Sequence, residues 1–512
     1  MAAPTNFDSI ITKLNNYSSC LEESVQSDTL LELKTELSLI PPSSLRIIVP
    51  KLNIEAIFDC LNASTSEQIE LTCDLLERLL QVLPPILMLQ RFDDHLLRAL
   101  SHPSADVRQM LLVQIAHCLS DGSAVQELTR RIDILTKTVQ LLADDDVNVT
   151  ALSKQALLKL AESQNGRNIL FSTNTFPHMQ AVMKASDTAK FRVYEVIVRV
   201  ASFSADGLVQ AAQTGALAQL IGEIENGDVL LQLNALDLLS DLALTEYGLS
   251  FLEQQGVLKT LAHMLDSIDA NLLSTYLLPG LIKFFGNVAH HNPKEICSRH
   301  QVFVNVLFTN LESCNLTIQG IAVDTLGVIG STAEGKLSLD KQGQLIDRAL
   351  KILGTIIKDS PSNMRLRAIH SVCTLLTLQV SCQTDELLAL TEAWFSKLFE
   401  RPLEVFTRIA QQPFVDLHCG SLAVIAAIAL QPWGQKAIYN EAGLLEYILD
   451  RHTETRKEGR DAKFEVVKTL VESPTAQDIF GRPDFMRLRG FYADGVYYVK
   501  AQHAVAMEGG GP

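Results

Sequence analysis

Apolar residues in this chain gather in runs separated by short polar turns, and the alternation recurs at a nearly constant interval. An apolar residue, a polar turn and a new apolar run follow one another at Leu61 (LNASTSEQIEL), Leu100 (LSHPSADVRQML), Leu142 (LADDDVNVTAL), Met183 (MKASDTAKFRV) and Ile224 (IENGDVLLQL). The same order returns at Leu265 (LDSIDANLL), Leu311 (LESCNLTIQG), Ile357 (IKDSPSNMRL), Ile409 (IAQQPFVDLHCG) and Ile448, just ahead of LDRHTETRKEG. The intervals run from 39 to 52 residues and average 43, which is the period of armadillo and HEAT repeats.

The runs after the turns include QALLKLA (155–161), EVIVRVA (195–201), NALDLLSDLA (234–243) and SLAVIAAIA (421–429). Apolar residues on nearly every side describe a helix buried between neighbours. Glycines come in pairs eight or nine apart: Gly207/Gly215, Gly248/Gly256, Gly335/Gly343 and Gly434/Gly443. Because glycine supplies positive φ at helix ends, each pair is expected to bracket a short helix. A short helix, a buried helix and a longer one make three per repeat, the armadillo count rather than the two of HEAT. The predicted fold is all-α, an armadillo/HEAT-like right-handed superhelical solenoid.

Residues 1–60 are expected to form an irregular helical N-terminal cap broken at Pro41-Pro42, residues 61–480 the repeat array, and residues 481–512 a C-terminal capping segment and disordered tail. The widest interval is expected to hold an extra helix, TDELLALTEAWFSKLFE (384–400), and RHTETRKEGRDAK (451–463) to be a polar surface loop. From Gly481 the sequence turns aromatic and strand-leaning, with a short strand expected near Val496–Val499.

Composition narrows the function classes. The 47% hydrophobic content and 20% charged content exclude a disordered chain. A net charge of -16 gains nothing from counterion release, so neither nucleic acid nor an anionic membrane surface is an expected partner. Nine cysteines without a C-x-x-C form neither a disulfide framework nor a zinc site. The N-terminus lacks a secretory pattern, and the longest apolar stretch, Gly420–Leu430, is far too short for a membrane span. A soluble monomer in the cytoplasm, and also in the nucleus, is expected.

No phosphate loop, nucleophile elbow or metalloprotease motif occurs. Adjacent His290 and His291 point about 100° apart on a helix and cannot share one metal. Asp144–Asp146 lack calcium-loop spacing and read as an anionic helix start. No catalysis and no cofactor are expected. Charge is more informative. Ten carboxylates against Lys259 alone lie between Ala201 and Gly280, an acidic surface able to steer a basic partner. The candidate partner-binding residues are Glu223, Glu225, Asp228, Asp266 and Asp269. Changing the first three to Lys is expected to leave folding intact and to slow association at low salt.

Several blocks resemble the 26S proteasome non-ATPase regulatory subunit 5 family of proteasome base assembly chaperones. They are FRVYEV (191–196), YLLPGLIKFFGNVA (276–289), GIAVDTLGVIGSTAEGK (320–336), EAWFSKL (392–398), QQPFVDLHC (411–419), QPWGQK (431–436) and GVYYVK (495–500). The resemblance implies a non-enzymatic chaperone of the proteasome regulatory-particle base. It implies binding, in the concave surface, to the C-terminal domain of one AAA ATPase subunit, regulatory subunit 7. The intermediate would also hold regulatory subunit 4 and non-ATPase regulatory subunit 2, and the chaperone would leave before the mature proteasome forms. The alternative is a generic armadillo adaptor such as a transport receptor or signalling scaffold. Import receptors of that kind use recurring Trp and Asn, whereas Trp394 and Trp433 stand at non-equivalent repeat positions.

Overall fold

The polar turns in the sequence are helix starts. The Asp146 carboxylate accepts from the Val149 amide at 2.9 Å, the Ser186 hydroxyl from Ala189 at 3.1 Å, and Asp228 from Leu231 at 2.9 Å. Asn315 accepts from the Thr317 amide at 3.0 Å. Each satisfies a first-turn N–H that has no partner inside its helix. In the computed structural model, residues 23–62, 65–267, 274–454 and 456–498 are described. Among them every regular element is helical.

The chain divides into two compact units, residues 1–251 and 252–512. In the first, the long helices Ser66–Leu80, Ala105–Cys118, Val147–Ala161, Asp187–Ala201 and Val229–Leu242 each pack on the next. In the second, Leu278–His291, Leu316–Ile329, Ser362–Leu376, Val415–Ala429 and Lys457–Glu472 do the same. Between consecutive long helices run two others, for example Ala205–Gln213 and Ala216–Asn226. The repeat therefore has three helices, and each unit is an all-α solenoid stack.

The glycine pairs do not bracket the short helices as expected: the second glycine follows the helix, but the first is its third residue, and the two are there for different reasons. The second glycine of each pair has positive φ, as at Gly215 (77°) and Gly443 (79°). The first does not. A Cβ at Gly335 would lie 1.8 Å from the Ile329 carbonyl oxygen, and one at Gly248 2.1 Å from that of Leu242. The short helix thus crosses the end of the preceding long helix at a separation only glycine permits. In three of the four a Ser or Thr three residues earlier caps the same helix, as with Thr332 on the Gly335 amide at 3.0 Å.

The residue after this glycine often reaches back to the long helix's last carbonyls. Arg167 donates to Ala161 O at 2.8 Å and Gln435 to Ala429 O at 2.9 Å. Lys336, 0% exposed, donates to Gly330 O and to Thr374 O, joining the ends of two long helices. Burial pushes its ammonium pKa down to about 8 from 10.5. Below pH 8 both folded and unfolded chains hold the proton. Between 8 and 10.5 only the unfolded chain does, so stability rises with pH across that window. Relative to Lys336→Met, the wild-type chain should gain about 3 kcal/mol there, read from urea unfolding of both proteins. A constant difference would refute the assignment.

Three sequence expectations are corrected. Residues 384–400 are not an extra helix: Asp385–Leu398 occupies the short-helix place of its repeat, lengthened to 14 residues, with Trp394 wholly buried. The polar stretch 451–463 is a loop only at its start. Helix Lys457–Glu472 begins within it, because Glu454 and Lys463 are buried as a pair at 3.1 Å. Finally, residues 476–494 form a helix with Phe480, Phe485 and Leu488 buried, and Val496–Tyr498 form no strand. Val499 lies outside the described residues.

Candidate partner-binding cleft

In three repeats the fourth residue of the long helix has a structural task. Gln232 donates to Ile224 O at 2.9 Å, Gln319 to Leu311 O at 2.8 Å, and Arg365 to Ile357 O at 2.8 Å. In each, the side chain caps the C-terminal end of the preceding helix by bonding the carbonyl eight residues upstream. At Lys190 this task is absent. The ammonium turns instead to Asp187 at 2.9 Å and to Glu223 of the next repeat at 3.0 Å. A cleft of about 690 Å³ opens beside this pair, lined by Lys184, Lys190, Tyr194, Glu223, Asp228 and neighbours.

The electrostatics follow from partial burial. Desolvation pulls the Lys190 pKa down, and the bonds to Asp187 and Glu223 more than offset it, so the group stands above the ordinary lysine value. Burial, with the Glu223 carboxylate beside it, pushes the Tyr194 phenol up to about 12. Lys190 is therefore cationic and Tyr194 neutral throughout the physiological range. Nothing in the set forms a nucleophile–base pair, and among the described residues no group of three His, Cys, Asp or Glu side chains could hold a metal ion. The cleft can bind charged side chains.

The candidate residues divide by what already occupies them. Glu223 is 17% exposed and paired. Asp228 caps helix Val229–Leu242. Glu225 is exposed on the last turn of helix Ala216–Asn226. Asp266 is exposed at the end of helix Val257–Asp266 in the second unit, and Asp269 lies outside the described residues. Counting from the short helix, the 223–228 cluster sits between a repeat's second and third helices, not between repeats. Periodicity shows that a turn recurs but not which helix comes first. The sequence reading missed Lys190 and Asp187. Their signal was a lysine where three other repeats place a capping Gln or Arg.

Engagement sets the expected mutational outcomes. Glu223→Lys puts two ammonium groups together and should destabilise the first unit by about 1–2 kcal/mol. Asp228→Ala should cost about 1 kcal/mol through the lost cap. Glu225→Lys should stay within about 0.5 kcal/mol of wild type. Thermal unfolding of the three variants checks the order, and equal losses would mean that the pairing has no weight.

The second unit has a counterpart. Its fourth-position residue in Val415–Ala429 is His418, which faces Glu454 at 3.2 Å over a cleft of about 540 Å³. Tyr447 takes over the capping task, donating to Ala410 O at 2.6 Å.

Comparison with solved structures shows the fold. Importin beta superposes with a TM-score of 0.63 at 10% identity, covering 94% of this chain and 59% of that one. The 26S proteasome non-ATPase regulatory subunit 5 of Homo sapiens is 36% identical over 94% of this chain and 96% of its own length. That of Drosophila melanogaster is 24% identical over 90% and 91%. The family model described as proteasome non-ATPase 26S subunit matches residues 8–511. Every described repeat and both clefts fall within that match, and the chain belongs to the proteasome non-ATPase 26S subunit family.

Proposed function

We propose that this chain is a non-catalytic chaperone for assembly of the 26S proteasome regulatory-particle base. It binds the C-terminal domain of one AAA ATPase subunit, regulatory subunit 7, within an intermediate that also contains regulatory subunit 4 and non-ATPase regulatory subunit 2. It leaves before the mature proteasome forms, and it works in the cytoplasm and the nucleus. The observation that carries this reading is the 36% identity over 94% of the chain to relatives named as regulatory, non-ATPase subunits. The chain's own architecture supports it: a repeat stack offers a long surface for a folded domain, and the Glu223 cleft offers carboxylates to basic side chains. Glu223, Glu225, Asp228, Asp266 and Asp269 are the proposed contacts.

The test is affinity capture of the tagged chain from cells, followed by mass spectrometry. Base subunits with almost no core particle are expected. Recovery of intact proteasomes, or of no proteasome subunit, overturns the reading. Glu225→Lys examines the surface separately. It should slow association with the ATPase domain by about threefold at low ionic strength, with the difference closing as salt rises.

A further inference from the structure

The helix that ends the second unit, Ala476–Asp494, is interrupted at Gly481 (φ 70°, ψ 166°) and resumes at Arg482. Phe485 and Leu488 are buried against the unit. Arg482, Met486, Arg489 and Ala493 are exposed. They follow one another at i, i+4, i+7 and i+11, so they share a single stripe. Met486 is 55% exposed at its centre.

Exposed arginines elsewhere in this acidic chain are commonly paired, as Arg299 is with Glu295, Arg348 with Glu312 and Arg408 with Glu404. On this helix Asp484 is committed to Arg487 at 2.9 Å, and Asp494 lies 4.0 Å from Arg451. Among the described residues, Arg482 and Arg489 have no carboxylate partner. On a chain of net charge -16 they leave a local positive stripe with an apolar centre.

We propose that this stripe docks a short acidic segment of a partner protein, one that places an apolar residue between two carboxylates. The arginines are seven residues apart, about 10 Å along the helix. Each guanidinium can grip a carboxylate with two parallel hydrogen bonds. The thioether of Met486 adapts to whichever apolar side chain lies between them. Extended polyanions are a poorer match, because the chain's own charge repels them beyond the stripe. Residues 499–512 carry a single acidic side chain, Glu508, and so supply one carboxylate side chain for two arginines. This inference is independent of the proposed chaperone role, since it concerns a different surface and needs no ATPase.

The experiment titrates the full-length chain into a labelled helical peptide carrying Glu-x-x-x-Leu-x-x-Glu and follows fluorescence anisotropy at low salt. Saturable binding is expected, weakening at least tenfold in Arg482→Glu/Arg489→Glu and about threefold in Met486→Ser. A peptide with Gln in place of both Glu should not bind. Helical circular dichroism confirms that each variant is folded. Unchanged affinity in the charge-reversed chain overturns the proposal. So does a threefold or greater gain in Glu508→Lys, which would assign the stripe to the chain's own end.

Discussion

Gly335→Ala should cost the second unit at least about 3 kcal/mol, at the upper end of overpacking penalties. The added methyl would sit 1.8 Å from the Ile329 carbonyl oxygen, with Thr332 Oγ1 2.9 Å away. A flexible side chain could move aside, but this neighbour is backbone at the end of a helix whose Val323, Leu326 and Ile329 are buried. The short helix must therefore lift, breaking the Thr332 cap and the Lys336 bonds to Gly330 O and Thr374 O. Gly490→Ala is the control. It lies in the same unit with open space around it, and alanine there should stabilise by up to about 1 kcal/mol. Thermal unfolding of both variants decides the matter. A loss at Gly335 below about 1 kcal/mol would mean that the crossing distance is not what selects glycine.

Glu454→Ala is expected to be at least as damaging, at about 3–5 kcal/mol. Glu454 lies between Lys463, 3.1 Å away and 2% exposed, His418 and the Tyr447 hydroxyl. Burial lowers the Lys463 pKa, and Glu454 opposes that shift. Removing the carboxylate leaves an ammonium facing the Tyr447 ring at 3.7 Å and polar oxygens, with only the weaker influence of the Asp450 charge to offset it. The double variant Glu454→Ala/Lys463→Met should recover most of the loss, because the desolvated charge leaves with its partner. The single variant's deficit should also shrink as pH rises. Without Glu454 the folded-state lysine pKa falls further, and the unfolded chain then binds more protons over a wider window. Urea unfolding of the single and double variants at pH 7 and pH 9 provides the cycle. A double variant as unstable as Glu454→Ala would show that the site is held by packing alone.

Both predictions fall where two parts of the chain meet at close range, and this separates what was readable from what was not. The turn at Asp146 and the turn at Asp228 were visible because a cap and the apolar run after it are neighbours in sequence. The glycine spacing was visible for the same reason, yet its first member was assigned the wrong cause. Positive φ is a local property, whereas the approach of Gly335 to Ile329 O exists only once the short helix has folded back. The candidate carboxylates were correctly seen as an acidic run, but sequence alone gave no means of telling Glu223 from Glu225. Glu223 meets a lysine 33 positions earlier, and Glu225 projects to solvent.

By itself, then, the sequence determined the repeat period, the helical class, the three-helix unit and the family. Each follows from apolar spacing, helix caps or runs of residues contiguous along the chain. Only the tertiary structure decided which charges are committed and which are free. That is why 451–463, polar throughout and so read as loop, instead contributes the buried Glu454–Lys463 pair. A charge is tolerable in the interior only when a counter-charge and hydrogen bonds reach it, and His418 of the preceding repeat meets Glu454 only once the repeats stack.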